Sequence, residues 1–417
     1  MRTLTSIIAI AAATGLTASV AAQDREAEFH ALIEANTHRI AWDGEQLTGA
    51  GAEWLASEIE VAHYFMIGER HATADVPEIA AHLFELAAAD GYSHAVLEMG
   101  PIMGAELNSF LEANGADALA GALQDPVFRD AMALLSMEEE QEFVADAYRA
   151  GLQIAGLDQE FILSGEYHLR RLEAGVQTDA QLDAVNALRT VAEGEQYFVG
   201  AADPALYEAL EAAFAGHADS GLADTAEALR ITNAIYRPFL VGGPTSWSNV
   251  ERENYVKTNW YWMNQELAAP GEPGPRMTFK WGGLHSGPSI DSHARISLGT
   301  FIEDWATVHG VTSFNLGMDC NAGESLSTGG MEHVPQACVS WFLSAGGGQN
   351  ATAGADDQTF SRHLQGVEEI VLIDFRPVRE RLREWRFLSQ GERNMIAGYD
   401  VYMAIPGTRT ATMAGSE

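Results

Sequence analysis

Four short stretches of this sequence put acids and imidazoles where they could act together. Gly68-Glu69-Arg70-His71 sets a carboxylate two residues before an imidazole. Glu98 closes the apolar run Ser93-His94-Ala95-Val96-Leu97, Asp158 and Glu160 follow Leu152 to Leu157, and Gly282-Gly283-Leu284-His285 brings a second imidazole. A carboxylate beside an imidazole can orient and polarise it as a general base. The same nitrogen and oxygen donors of Glu69, His71, Glu98 and His285 could hold a divalent metal instead. Ordinary structural uses stand beside these readings. Glu69 could pair with an arginine, His285 could cap a turn, and Glu160 could stabilise the start of the helix that follows it. Glu98 is harder to account for in that way, because a carboxylate at the edge of a buried strand needs a partner.

Other signatures are missing. There is no G-x-S-x-G nucleophile elbow, no G-x-x-x-x-G-K-[ST] phosphate loop and no H-E-x-x-H zinc helix. The run from Gly346-Gly347-Gly348 to Asp357 follows no strand and opens no helix, so it reads as a mobile loop. Water-activating chemistry without a covalent serine is the simplest enzymatic reading. Among the other candidates, His63, His82 and His94 read as structural, and His168 in Glu166-Tyr167-His168 stays open. Trp260-Tyr261-Trp262 reads as core packing of a long helix. Lys280 is either a buried functional cation or an edge lysine.

These groups need a scaffold that brings strand ends together. Short apolar runs at Ala62 to Ile67, Ser93 to Leu97, Leu152 to Leu157, Met277 to Trp281, Val311 to Leu316, Ile370 to Phe375 and Asp400 to Ile405 read as strands. Helical periodicity lies between them, as at Pro77 to Ala89. The pattern predicts an α/β fold, a central largely parallel sheet flanked by helices. From about 160 to 267 no strand is evident; Pro204 to Ala215 and Leu222 to Tyr236 read as helices of a large insertion. Pro270 to Pro275 turns the chain back to the sheet. In such sheets ligands bind beyond the carboxyl ends of the strands, where the four stretches fall.

Composition narrows the partners. The 417 residues carry 24 Lys plus Arg against 59 Asp plus Glu, a net charge of −35, and lysine occurs only at Lys257 and Lys280. Such a surface repels phosphate backbones and anionic lipid, so neither nucleic acid nor a membrane surface is an expected partner. A small-molecule substrate is expected, and no protein partner is implied. Arg2, the apolar run Ile7 to Ala13 and the ending Ser19-Val20-Ala21-Ala22 read as a signal peptide over 1–22, hence a periplasmic or secreted protein. In an oxidising compartment Cys320 and Cys338 are expected to form one disulfide. No other apolar run reaches spanning length, and residues 23–417 read as a single domain with its insertion.

The motifs together resemble the erythromycin esterase and ChaN/Tiki-like superfamily. The resemblance rests on Gly68-Glu69-Arg70-His71, Leu97-Glu98 and Gly282-Gly283-Leu284-His285. It extends to Arg252-Glu253 with Asn259 and Trp262, to Ser297-Leu298-Gly299-Thr300, and to Tyr399-Asp400-Val401-Tyr402. It implies that Glu69 and His71 activate water and that Glu98, Arg252 and His285 line the same cleft. The esterase branch implies an imidazole base with no obligatory metal, the Tiki-like branch a metal-dependent peptidase, and the ChaN branch haem binding without catalysis. The first motif here is one residue shorter than the G-E-x-x-H-G of the esterase branch. Gly282 also stands where that branch carries a histidine. The leading expectation is an esterase-like hydrolase in which His71 activates water. Arg252 and His285 would then stabilise the oxyanion, with Glu98 holding one of them or donating a proton.

Overall fold

Apolar residues that alternate between two covered faces determine the architecture. The computed structural model describes residues 24–287, 296–327, 334–338, 340, 360–364 and 366–415. The expected signal segment at 1–22 and the glycine-rich run from 346 to 357 lie outside the described residues. The strands are β1 (Thr37–Trp42), β2 (Leu47–Thr48), β3 (Tyr64–Glu69), β4 (His94–Leu97), β5 (Gln153–Gly156), β6 (Met277–Gly282), β7 (Ser313–Cys320), β8 (Glu324–Leu326), β9 (Pro335–Ala337), β10 (Ile370–Asp374) and β11 (Val401–Ile405). Nine form one sheet in the order β2-β1-β10-β11-β7-β3-β6-β4-β5, and β8 pairs with β9 separately. Every pairing from β11 to β5 is parallel, while β2, β1 and β10 form an antiparallel edge. The expected α/β class with a largely parallel sheet is what the chain adopts.

The helices that matter for the site are α1 (Asp75–Ala89), α2 (Pro101–Asn114), α3 (Glu138–Arg149), α4 (Ser220–Val241), α5 (Thr245–Leu267) and α6 (Leu298–His309). Along β3, Phe65 and Ile67 point to one face and pack with Leu83 and Phe84 of α1 and Phe143 of α3. Tyr64 and Met66 point to the other, against Val256 and Trp260 of α5 and Leu298 and Ile302 of α6. All six residues of β3 are buried, as in a strand covered on both faces. Between β5 and β6 the chain is helical, and these helices share a core of their own around Leu169, Leu188, Phe198, Tyr207, Leu210 and Leu229.

Element boundaries move in informative ways. β3 begins at Tyr64 rather than Ala62 and runs through Gly68 and Glu69, two residues of poor strand propensity held by pairing with β6 and β7. β7 continues to Cys320, four residues past the expected end. β1 has no clear apolar signature, since it buries only one residue, Ile40. The aromatic triplet is not all core. Successive helical residues rotate by about 100°, so Trp260 is buried while Tyr261 and Trp262 are exposed. Among the described residues no helix is long and apolar enough to cross a membrane, and Cys320 is bonded to Cys338.

Candidate active site

The strands β3, β6, β4 and β5 are consecutive in the sheet, so their carboxyl ends form one row. Glu69 ends β3, opposite Gly282 at the end of β6. Glu98 follows β4, and Asp158 lies two residues beyond β5. Glu69 Oε1 accepts a hydrogen bond from His71 Nδ1 at 3.0 Å, and His71 Nε2 lies 3.5 Å from Glu98 Oε2. The residue after His71, Ala72, has φ 64°, a left-handed conformation uncommon outside glycine. Its carbonyl accepts from Leu326 N at 2.9 Å, which holds that turn in place.

A second dyad faces the first. His285 lies on the short helix Gly283–Ser286 after β6, and its Nδ1 donates to Glu253 Oε1 of α5. The other Glu253 oxygen accepts from Leu298 N at 3.0 Å, at the start of α6. Tyr399 fixes the turn that carries His285, its hydroxyl donating to the Gly283 carbonyl and lying 3.3 Å from Ser286 Oγ. Arg252, one residue before Glu253, joins the two dyads. Its Nη2 donates to Glu98 Oε1 at 2.6 Å, its Nη1 to His285 Nε2 at 3.1 Å, and its Nε to Asp158 Oδ1 at 2.9 Å. A second bond, from Nη2 to Asp158 Oδ2, makes that pair bidentate. Glu98 Oε2 also accepts from Gly282 N at 2.6 Å.

Glu69, His71, Glu98, Arg252 and His285, the five expected site residues, therefore meet around one point. Their side-chain exposures separate their roles: 27% for His71, 19% for Arg252, 11% for Glu98, 10% for His285 and 1% for Glu69. His71 is the group solvent reaches first. Each imidazole turns Nδ1 toward a carboxylate oxygen, which can only accept, so Nδ1 carries the proton and Nε2 faces the centre. The His285 Nε2 lone pair is taken by Arg252, whereas that of His71 faces only Glu98, beyond hydrogen-bond length.

The charges tune one another. Burial would raise the Glu98 carboxyl, but Arg252 and the two imidazoles outweigh it and hold Glu98 at about 2. Glu98 is thus ionised at neutral pH, which corrects its expected alternative as a proton donor. Burial opposes the charged form of His71, yet the bond to Glu69 and the Glu98 charge prevail and raise its pKa above the ordinary value. Burial likewise acts on Glu69, and Lys280 with His71 overcomes it to keep Glu69 ionised.

A metal does not fit this arrangement. Glu69 spends its oxygens on His71 and Lys280, Glu98 spends its own on Arg252 and Gly282, and both nitrogens of His285 are engaged. The Arg252 guanidinium also places a fixed positive charge at the centre. A haem slot fits no better, because the inward imidazole nitrogens face Glu98 and Arg252 rather than an apolar wall.

Four open candidates find definite places. Asp158 belongs to the site through Arg252. Glu160 does not: its Oε1 accepts from Ile102 N at 3.0 Å, capping α2 rather than the helix that follows it, and its Oε2 lies 3.1 Å from His168 Nε2. Glu160 and His168 are fully buried together. Lys280 is a buried cation in a central strand, not an edge lysine. Glu253 was visible in sequence only as the neighbour of Arg252 in a shared motif. Glu140, the second partner of Lys280, has no sequence signal at all.

No family model matches the chain, and no curated protein does. Solved structures share its fold. A succinoglycan biosynthesis protein superposes with a TM-score of 0.63 at 13% identity, over 93% of this chain and 98% of that chain. A protein from Bacillus cereus gives 0.56 at 12% identity, over 93% and 99%. A histidine-to-asparagine variant of the erythromycin esterase EreC, in its open conformation, gives 0.59 at 16% identity, over 91% and 99%. The fold implied by the motif resemblance is therefore the fold found.

Proposed function

We propose that this chain is a hydrolase that cleaves an ester or related bond with water activated by His71. The observation that carries this reading is the convergence of two Glu–His dyads on one Glu98–Arg252 pair. Glu69 accepts a hydrogen bond from His71 Nδ1, so Nε2 is the basic nitrogen, facing Glu98 at the centre of the cluster. A water beside the 3.5 Å approach of His71 Nε2 and Glu98 Oε2 would direct one proton toward each. As its oxygen attacks the acyl carbon, His71 takes one proton and the carbonyl electrons move onto oxygen. The bonds from Arg252 to Asp158, Glu98 and His285 use four of its five N–H groups. The remaining Nη1 N–H can meet the developing oxyanion. Collapse of the tetrahedral species expels the alcohol oxygen, which takes the proton back from His71. His285 keeps Arg252 in place rather than acting as a second base, since its lone pair is already bonded.

The shared fold with an erythromycin esterase supports the reaction class and leaves the substrate open. A secreted or periplasmic setting is supported by the Cys320–Cys338 disulfide. The test is hydrolysis of a panel of esters and lactones in H₂¹⁸O. Attack by water on the acyl carbon places ¹⁸O in the carboxylate product, and activity survives chelation. A protein that cleaves none of the panel, or whose activity disappears with chelator and returns with metal, contradicts the proposal.

A further inference from the structure

Lys280 has no place in the steps above, yet it sits directly behind them. It lies inside β6, 3% exposed, between Leu97 of β4 and Ile67 of β3 in register. Its Nζ is 2.6 Å from Glu69 Oε2, 2.8 Å from each oxygen of Glu140 on α3, and 5.0 Å from the Phe143 ring. Glu140 is 4% exposed. A buried triad of this kind is a poor route to stability, because well-packed apolar side chains of the same volume do as well or better. Its geometry offers something else: Glu69 has one oxygen on His71 and the other on Lys280, so the carboxylate that orients the base is held from behind.

We propose that Lys280 and Glu140 are positioning residues of the site, fixing the Glu69 carboxylate and setting the proton affinity of His71 through it. The inference rests on the hydrolase reading only for its functional consequence. The charged groups that bear on Glu140 are Lys280 from β6, Glu69 from β3 and His71 after it. Those that bear on His71 are Glu69, Glu98 and Lys280. The helix packed on α3, α1, presents Phe84 to Phe143, and the charged group that bears on its Glu85 is Asp146. Burial pushes Glu140 up to about 7, against the pull of Lys280. Near neutral pH its charge therefore changes. An ionised Glu140 offsets the Lys280 charge, and His71 holds its proton more firmly. A neutral Glu140 leaves Lys280 to repel the imidazolium, and His71 releases its proton at lower pH.

The test reads His71 itself. In protein labelled with ¹⁵N-histidine, the imidazole resonances of His71, assigned by their loss in His71→Asn, are titrated in the parent and in Glu140→Gln. The midpoint is expected to fall in the variant by roughly half a unit or more. The acid limb of kcat/KM should move by the same amount. An unchanged midpoint in folded Glu140→Gln overturns the inference. Should that variant not fold, Glu140→Asp keeps the charge but withdraws it from Lys280; a smaller shift in the same direction is expected, and no shift is again fatal. A midpoint that moves in a protein that cleaves no ester would sustain the positioning network while ending the hydrolase reading.

Discussion

At the scale of single residues, the site is a set of opposed charges whose proton positions are decided by partners. His71 must lose its proton to act as a base, and its raised pKa puts that loss above the ordinary imidazole value. The pH profile of kcat/KM is therefore expected to rise with pH through a limb lying above 6.5. Glu98→Gln removes a charge that favours the imidazolium, so the limb should move toward lower pH as the maximum falls. Glu98 also bears on stability. Its folded pKa, about 2, lies below the ordinary value of 4.5, so its ionised form stabilises the fold above pH 4.5. That contribution is lost as pH falls from about 4.5 through about 2. Urea unfolding of the parent and Glu98→Gln across this range should show the difference between them shrinking toward acid. A constant difference would contradict the role given to Glu98.

At the scale of elements, the site exists because four adjacent parallel strands end together and one helix crosses above them. Most of that was legible: an apolar run closing on a carboxylate announces a strand end, which places Glu69, Glu98 and Asp158, and His285 follows the next such run. What was not legible came from elements distant in sequence. Glu253 is tied to the centre through α5, and a helix surrounded by polar residues gives no period that says which face meets the sheet. Glu140 reaches Lys280 only because α3 packs on the sheet face that carries Lys280. β1 was hidden because a strand with one buried residue looks like a loop. Close packing at strand ends gives a direct test. A Cβ at Gly282 would lie 2.7 Å from His71 Nε2 and 3.2 Å from Glu98 Oε2. Gly282→Ala should keep the far-ultraviolet circular dichroism of the parent and lose about 10²-fold in kcat. Full activity would mean that the His71–Glu98 approach is irrelevant to turnover.

At the scale of the whole molecule, the acidity describes the surface, and two of the few cations, Arg252 and Lys280, are spent inside. Arg252 and Lys280 both lie within elements that line the site, with carboxylates on two sides. A chain with two lysines that buries one beside a catalytic candidate is using it for more than solubility. The disulfide ties the end of β7, next to β3, to the segment around Ser340, whose hydroxyl lies 2.6 Å from Tyr402 OH. With its cysteines 18 positions apart, its removal in Cys320→Ala/Cys338→Ala should lower the unfolding free energy by about 3 kcal/mol. Equilibrium denaturation measures this, and equal stability would mean that the link constrains little.

The most direct measurement of the central claim compares the parent with His71→Ala on every ester and lactone that the parent cleaves, with melting temperatures taken in parallel. Loss of a general base predicts a fall of about 10²- to 10⁴-fold in kcat at a nearly unchanged melting temperature. Full activity of His71→Ala on each of those substrates would contradict the account.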